Sequence, residues 1–142
     1  MIVEVLLGLL HTSVTVLVHG LATLFIAYKV RLARARTDGT SLWRDFASVV
    51  SVVTIVFVIT ILEAAWWAGN YVYLGAIATF DEAMYFSMVT YTTLGYGDIT
   101  LEPGWRVLSG FQAANGVIIA GWSTALVIAV VQRIYNARQP EL

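Results

Sequence analysis

The decisive stretch is Thr92-Thr93-Leu94-Gly95-Tyr96-Gly97-Asp98. Two glycines alternate with bulky residues, and an acid closes the string. Glycine adopts backbone angles that residues with a Cβ avoid, so alternate glycines let successive carbonyl oxygens turn to one side. A bare cation needs such a ring of oxygens in place of its hydration shell. Thr93 adds a hydroxyl at the inner end. Leu94 and Tyr96 are expected to point away and pack on surrounding protein. The run 80–92 just before the string reads as a short helix. Both belong to a segment, Gly69 to Gly104, too short and too broken to cross a bilayer as a helix. Non-helical backbone at membrane depth is tolerated only where protein buries it or it lines a watery cavity. The segment therefore reads as a re-entrant loop that builds a pore or a binding site.

On either side lie apolar runs of the length that spans a bilayer, about 20 residues. One covers 2–28, a second 46–68, and a third 105–131 with helical character on to Asn136. The 142-residue chain is 59% hydrophobic and 12% charged, with a mean hydropathy of +0.80. Average soluble domains have roughly 45–50% apolar and about 25% charged residues. A soluble enzyme, a nucleic-acid binder and a disordered tail are excluded on that ground. No cysteine is present, which excludes a disulfide framework, a thiolate metal site and a thiol nucleophile.

Charge sets the orientation. Lys29, Arg31, Arg34, Arg36 and Arg44 lie between the first two spans, and Arg133 and Arg138 follow the third. These mark the cytoplasmic side, with Arg106 alone opposite. The N-terminus is then outside and the C-terminus inside. Asp81, Glu82, Asp98 and Glu102 fall outside, and Trp66, Trp67, Tyr71 and Tyr73 suit the outer interfacial belt. A cleaved leader would carry positive charge before its apolar run, whereas here Glu4 precedes and the basic residues follow.

The string 92–98 resembles the selectivity filter of potassium channels, with Leu94 in place of the usual valine. The likeness continues on both sides. Tyr85 to Thr92 looks like the pore helix, Trp105-Arg106 like the start of the inner helix, and Gly116 like the hinge glycine. Residues 44–136 together look like the two-helix pore unit of that family, and the first span lies outside the likeness. The resemblance implies that Thr93, Leu94, Gly95, Tyr96 and Gly97 coordinate K+ through carbonyl oxygens. It implies a homotetramer, since one loop per chain cannot close a ring. It also places Tyr85 where many relatives hold the filter aspartate, so that Tyr85 and Asp98 support the outer mouth. Val89 stands where some relatives carry a glutamate, and that second pairing is absent.

Other polar residues admit two readings. Gln112, Asn115, Gly116, Ser123 and Thr124 recur at helical spacing on the third span. Asn115 and Thr124 are read as lining a wet cavity below the filter, or Gln112 and Asn115 as bonding the pore helix or a neighbouring chain. Gly116 serves as a hinge or as a close-packing site, and Ile128 and Gln132 lie where an inner gate would form. Glu4, His11 and Thr15 share a narrow arc of the first span, with His19 drifting from it. The stripe reads as a pH sensor, as a metal site, or, preferred here, as a face packed on the outer helix of the pore. Asp81 and Glu82 read as a cap of the pore helix.

The chain is thus expected to be an all-α membrane protein with three transmembrane helices plus a re-entrant pore helix and selectivity filter, assembled as a tetrameric channel. Residues 1–30 form a peripheral helix, whose removal should leave a pore-forming tetramer. Residues 31–44 form a basic cytoplasmic linker in which Lys29, Arg31, Arg34 and Arg36 meet anionic lipid headgroups. The pore domain covers 45–136, with outer helix 45–69, pore helix 80–92, filter 93–98 and inner helix 104–136. A tail, 137–142, is too short for a ligand-sensing domain. The expected activity is passive K+ conduction across a plasma membrane, prokaryotic by its small size and lack of targeting features. No enzyme chemistry, no cofactor beyond K+ in the filter, and no nucleic-acid partner is expected. A weakly selective cation channel and a non-conducting subunit of the same fold are the alternatives.

Overall fold

A computed structural model describes residues 2–35 and 41–136, with the side chains of 33–35 left aside. Arg36, the side chain of Arg34 and the tail 137–142 lie outside the described residues. Four helices follow in order: α1 (Ile2–Ala35), α2 (Leu42–Tyr73), α3 (Phe80–Tyr91) and α4 (Arg106–Asn136). No strand occurs among the described residues. α1, α2 and α4 are each long and apolar enough to cross a membrane, and α2 reaches a mean hydropathy of 2.4. Their outward faces carry exposed apolar side chains, such as Leu6 and Leu17 of α1, Phe57 and Leu62 of α2, and Val117 and Ile118 of α4, a surface that suits lipid and not water.

Helix ends follow local chemistry. α1 continues to Ala35, so the segment expected as linker from residue 31 starts as helix. α2 begins after Ser41 and runs past the expected end at residue 69. It stops in a Schellman motif: the Ala76 N–H donates to the Tyr71 carbonyl at 2.8 Å and the Gly75 N–H to Val72 at 3.0 Å, with Gly75 at φ +69°. α3 begins at the N-cap Thr79, whose Oγ1 accepts from the Glu82 N–H at 3.3 Å and donates to the Glu82 carboxylate at 3.2 Å. The acids Asp81 and Glu82 occupy its first turn, where the helix dipole favours negative charge.

The core sits where α2, α3 and α4 meet. Trp67, Tyr71, Phe86, Tyr91, Leu108 and Ile119 form it. Trp67 and Tyr71 are fully buried there, so they are not part of the interfacial belt, whereas Trp66 and Tyr73 remain exposed. Tyr71 has a polar partner inside, its hydroxyl donating to Gln112 Oε1 at 2.8 Å, while Trp67 packs edge-on to His11 and against Tyr71. A second apolar cluster, Ile26, Val52, Val56 and Val130, joins α1, α2 and α4 toward the other end.

α1 docks chiefly on the inner helix α4 and less on α2, which corrects the expected packing on the outer helix. Phe111 of α4 lies directly over Gly8, where a side chain would collide with its ring. The polar stripe of α1 supplies the other contacts. Glu4 Oε2 accepts the Val107 N–H at 3.2 Å, so a carboxylate of α1 caps the first turn of α4. Further along, the Asn115 amide donates to Thr15 Oγ1 at 2.6 Å. Between membrane helices, lipid removes the usual hydrophobic drive, so such contacts and close packing decide who pairs with whom.

Candidate ion-conduction site

The site begins with the way α3 ends. Its last turn closes in a second Schellman motif. The Leu94 N–H donates to the Val89 carbonyl at 3.0 Å and the Thr93 N–H to Thr90 at 3.0 Å. The residue at the turning position is Thr93, at φ +61°. Glycine normally fills that position, because a Cβ there costs about 1–2 kcal/mol. A β-branched residue in this conformation marks a site where structure is held against its preference. The sequence reading assigned glycine-like angles to Gly95 and Gly97 and missed Thr93. The helix ends at Tyr91, one residue before the expected end at 92, and this places Thr93 at the turning position.

Gly95 at φ +58° and Gly97 at φ +77° continue the pattern, with negative φ at Leu94 and Tyr96 between them. The sign therefore alternates over five residues. Alternation of this kind turns successive peptide planes so that their carbonyl oxygens share one side. The Gly95 N–H also donates to the Val89 carbonyl at 3.2 Å, which pins the string to the helix end. Residues 92–98 are all exposed, and Leu94 and Tyr96 have no covering protein within this chain.

Behind the string lies a groove of about 530 Å³, lined by Tyr85, Phe86, Val89, Gly95, Gly97 and Arg106 among others. At its mouth the Tyr85 hydroxyl donates to Asp98 Oδ2 at 2.7 Å, and Asp98 Oδ1 accepts from the Ile99 N–H at 3.1 Å. The Tyr85 hydrogen bond holds the Asp98 carboxyl below the ordinary carboxylate range, and the same contact pushes the Tyr85 phenol up. Asp98 therefore carries full negative charge at neutral pH.

Below the string, α2 and α4 enclose a groove of about 500 Å³ with Tyr91, Thr92, Ser123, Thr124 and Ile128 on its wall. Thr124 is exposed to it, its hydroxyl donating to the Ala120 carbonyl at 2.9 Å. Asn115 is not. It is 1% exposed and spent on Thr15, so the cavity role expected for Asn115 is corrected to helix docking. Gln112 bonds the pore helix, its Nε2 donating to Ser87 Oγ at 2.9 Å. Gly116 meets the Tyr91 main chain so closely that a Cβ would strike the carbonyl oxygen. Close approach of α4 to the end of α3 accounts for that glycine.

The described histidines have separate surroundings. His11 sits edge-on to Trp66 and Trp67, at ring separations of 5.8 and 5.4 Å. His19 reaches Glu63 of α2.

A family model described as an ion channel matches residues 40–133, well over half of the chain and the whole of α2, α3 and the string 92–98. No curated protein and no solved structure matches.

Proposed function

The chain belongs to the ion channel family, and on that premise we propose that it is a potassium-selective pore, built by four copies around one axis. The observation that carries this reading is the alternating φ of Thr93, Gly95 and Gly97, set between two spans at the end of a short helix. Four such strings facing one another would stack rings of carbonyl oxygens, with the Thr93 hydroxyls as the innermost ring. K+ sheds its water there and passes by exchange between neighbouring rings.

Four copies are supported by what one copy leaves uncovered. Tyr96 is 67% exposed and Leu94 56%, too much apolar surface beside a strained strand to be stable alone. The groove behind the string of an adjacent copy would receive the Tyr96 ring and hold the strand from behind. Asp98 would then appear four times around the outer mouth and concentrate cations. The groove below, with Thr124 on its wall, would open on the inner vestibule. The positive-inside rule puts the N-terminus outside, and exposed Lys29 and Arg31 would lie at anionic headgroups. Conduction is passive, with no bond made or broken in the protein.

The test is potassium efflux from vesicles holding the purified chain, diluted into sodium medium. Efflux blocked by barium, from a particle sized as a tetramer, is expected. A monomeric particle, or tetramers without efflux under every pH and membrane tension applied, would overturn the proposal.

A further inference from the structure

Glu63 is an acid in a membrane span, 2% exposed, where an unpaired charge is costly. Both of its oxygens are engaged. The Tyr91 hydroxyl donates to Oε2 at 2.9 Å, and Oε1 lies 3.1 Å from Nδ1 of His19. The other ring nitrogen of His19 lies 3.3 Å from Ser123 Oγ. One residue from each of the four helices thus joins a single buried chain. A single proton shared by His19 and Glu63 leaves it neutral, whether carried by the imidazole as imidazolium or by the carboxyl. Either distribution leaves Oε2 able to accept from Tyr91.

Tyr91 is the last residue of α3, two positions before Thr93. It is held from both ends. Glu63 grips the hydroxyl, and the Gly116 backbone presses on the main chain. Where Tyr91 sits decides where the Schellman turn begins, and that decides where Thr93 adopts its left-handed angle.

We propose that Glu63 is a positioning residue for the filter, setting the register of Thr93 through Tyr91, and that α1 reaches the filter through His19 on the same carboxylate. The proposal rests on the reading that residues 93–97 select potassium. A contact that merely glued helices together would alter the heat resistance of the assembly and leave selectivity alone. A positioning contact alters selectivity in an assembled particle.

The experiment compares the full chain with Tyr91→Phe, Glu63→Gln, the double variant and His19→Gln, each in liposomes. The potassium-to-sodium permeability ratio is read from the reversal potential, and assembly from a sizing column. The wild type is expected to reverse at the potassium value. Tyr91→Phe should assemble and lose about tenfold in the ratio, as for one buried hydrogen bond. The double variant should fall no further than Tyr91→Phe, because Glu63 acts on the filter only through the Tyr91 hydroxyl, and His19→Gln should shift the ratio the same way by less. An assembled Tyr91→Phe with the wild-type ratio overturns the proposal. Should Tyr91→Phe fail to assemble, unchanged ratios in both Glu63→Gln and His19→Gln overturn it. A non-selective wild type would instead bring down the underlying reading of residues 93–97, and the control alone reports that.

Discussion

Thr93 and Tyr85 show how far single residues constrain the pore. Gly95 and Gly97 sit at positive φ, where an alanine is strained by about 1–2 kcal/mol, so Gly95→Ala or Gly97→Ala should abolish potassium current while tetramers persist on a sizing column. Normal current from either would remove residues 93–97 from the conduction path. Tyr85 and Asp98 give a pH signature. The carboxyl is depressed in the folded protein, so the contact contributes fully above the ordinary carboxylate value of about 3.9 and is lost as pH falls through the lower folded value. Tyr85→Phe lets that value rise again. Titrating current against outer pH should therefore show the variant failing at a higher pH than the wild type; coincident curves would mean the contact does not support the mouth. The glycine alternation was legible from residue type and spacing, and the Tyr85–Asp98 partnership only through the resemblance of the string and its preceding helix to a known family. The left-handed Thr93 was not, since threonine disfavours that angle and only the hydrogen bonds to Val89 and Thr90 impose it.

At the scale of helices, the three spans and the short helix were readable from apolar run length and from the break between them. Their pairing was not. Both α2 and α4 are apolar and of similar length, and periodicity does not say which one receives the polar stripe of α1. The answer lies in particular partners: Glu4 on the Val107 N–H, Thr15 with Asn115, and His19 with Ser123 and Glu63. These tie α1 into the polar interior of the chain and argue against the expectation that it is dispensable. Removing residues 1–35 exposes the Asn115 amide and one Glu63 oxygen to lipid or close packing, each an unmet polar group costing about 1–3 kcal/mol. The truncated chain should fail to give a monodisperse tetramer; a stable, conducting truncation would show α1 to be peripheral after all. Gly116→Ala tests the other helix crossing. Its Cβ meets the Tyr91 carbonyl, part of the main chain that cannot swing aside, so a loss of about 1–3 kcal/mol in thermal stability of the assembly is expected. An unchanged melting temperature would mean that α4 can back away from α3.

For the whole molecule, a single copy is an unfinished object. Its spans expose apolar side chains that lipid can cover, but the string 92–98 exposes Tyr96, Leu94 and a row of backbone groups that lipid cannot satisfy. The symmetric closure proposed above would answer both needs at once and turn a strained loop into a path for ions. The direct measurement is the reversal potential of the purified chain in liposomes under a potassium/sodium gradient. A value at the potassium equilibrium potential, with current blocked by barium, is what this account predicts. Robust current reversing near zero would contradict it, because the string 93–97 would then not be held in a potassium-selective form.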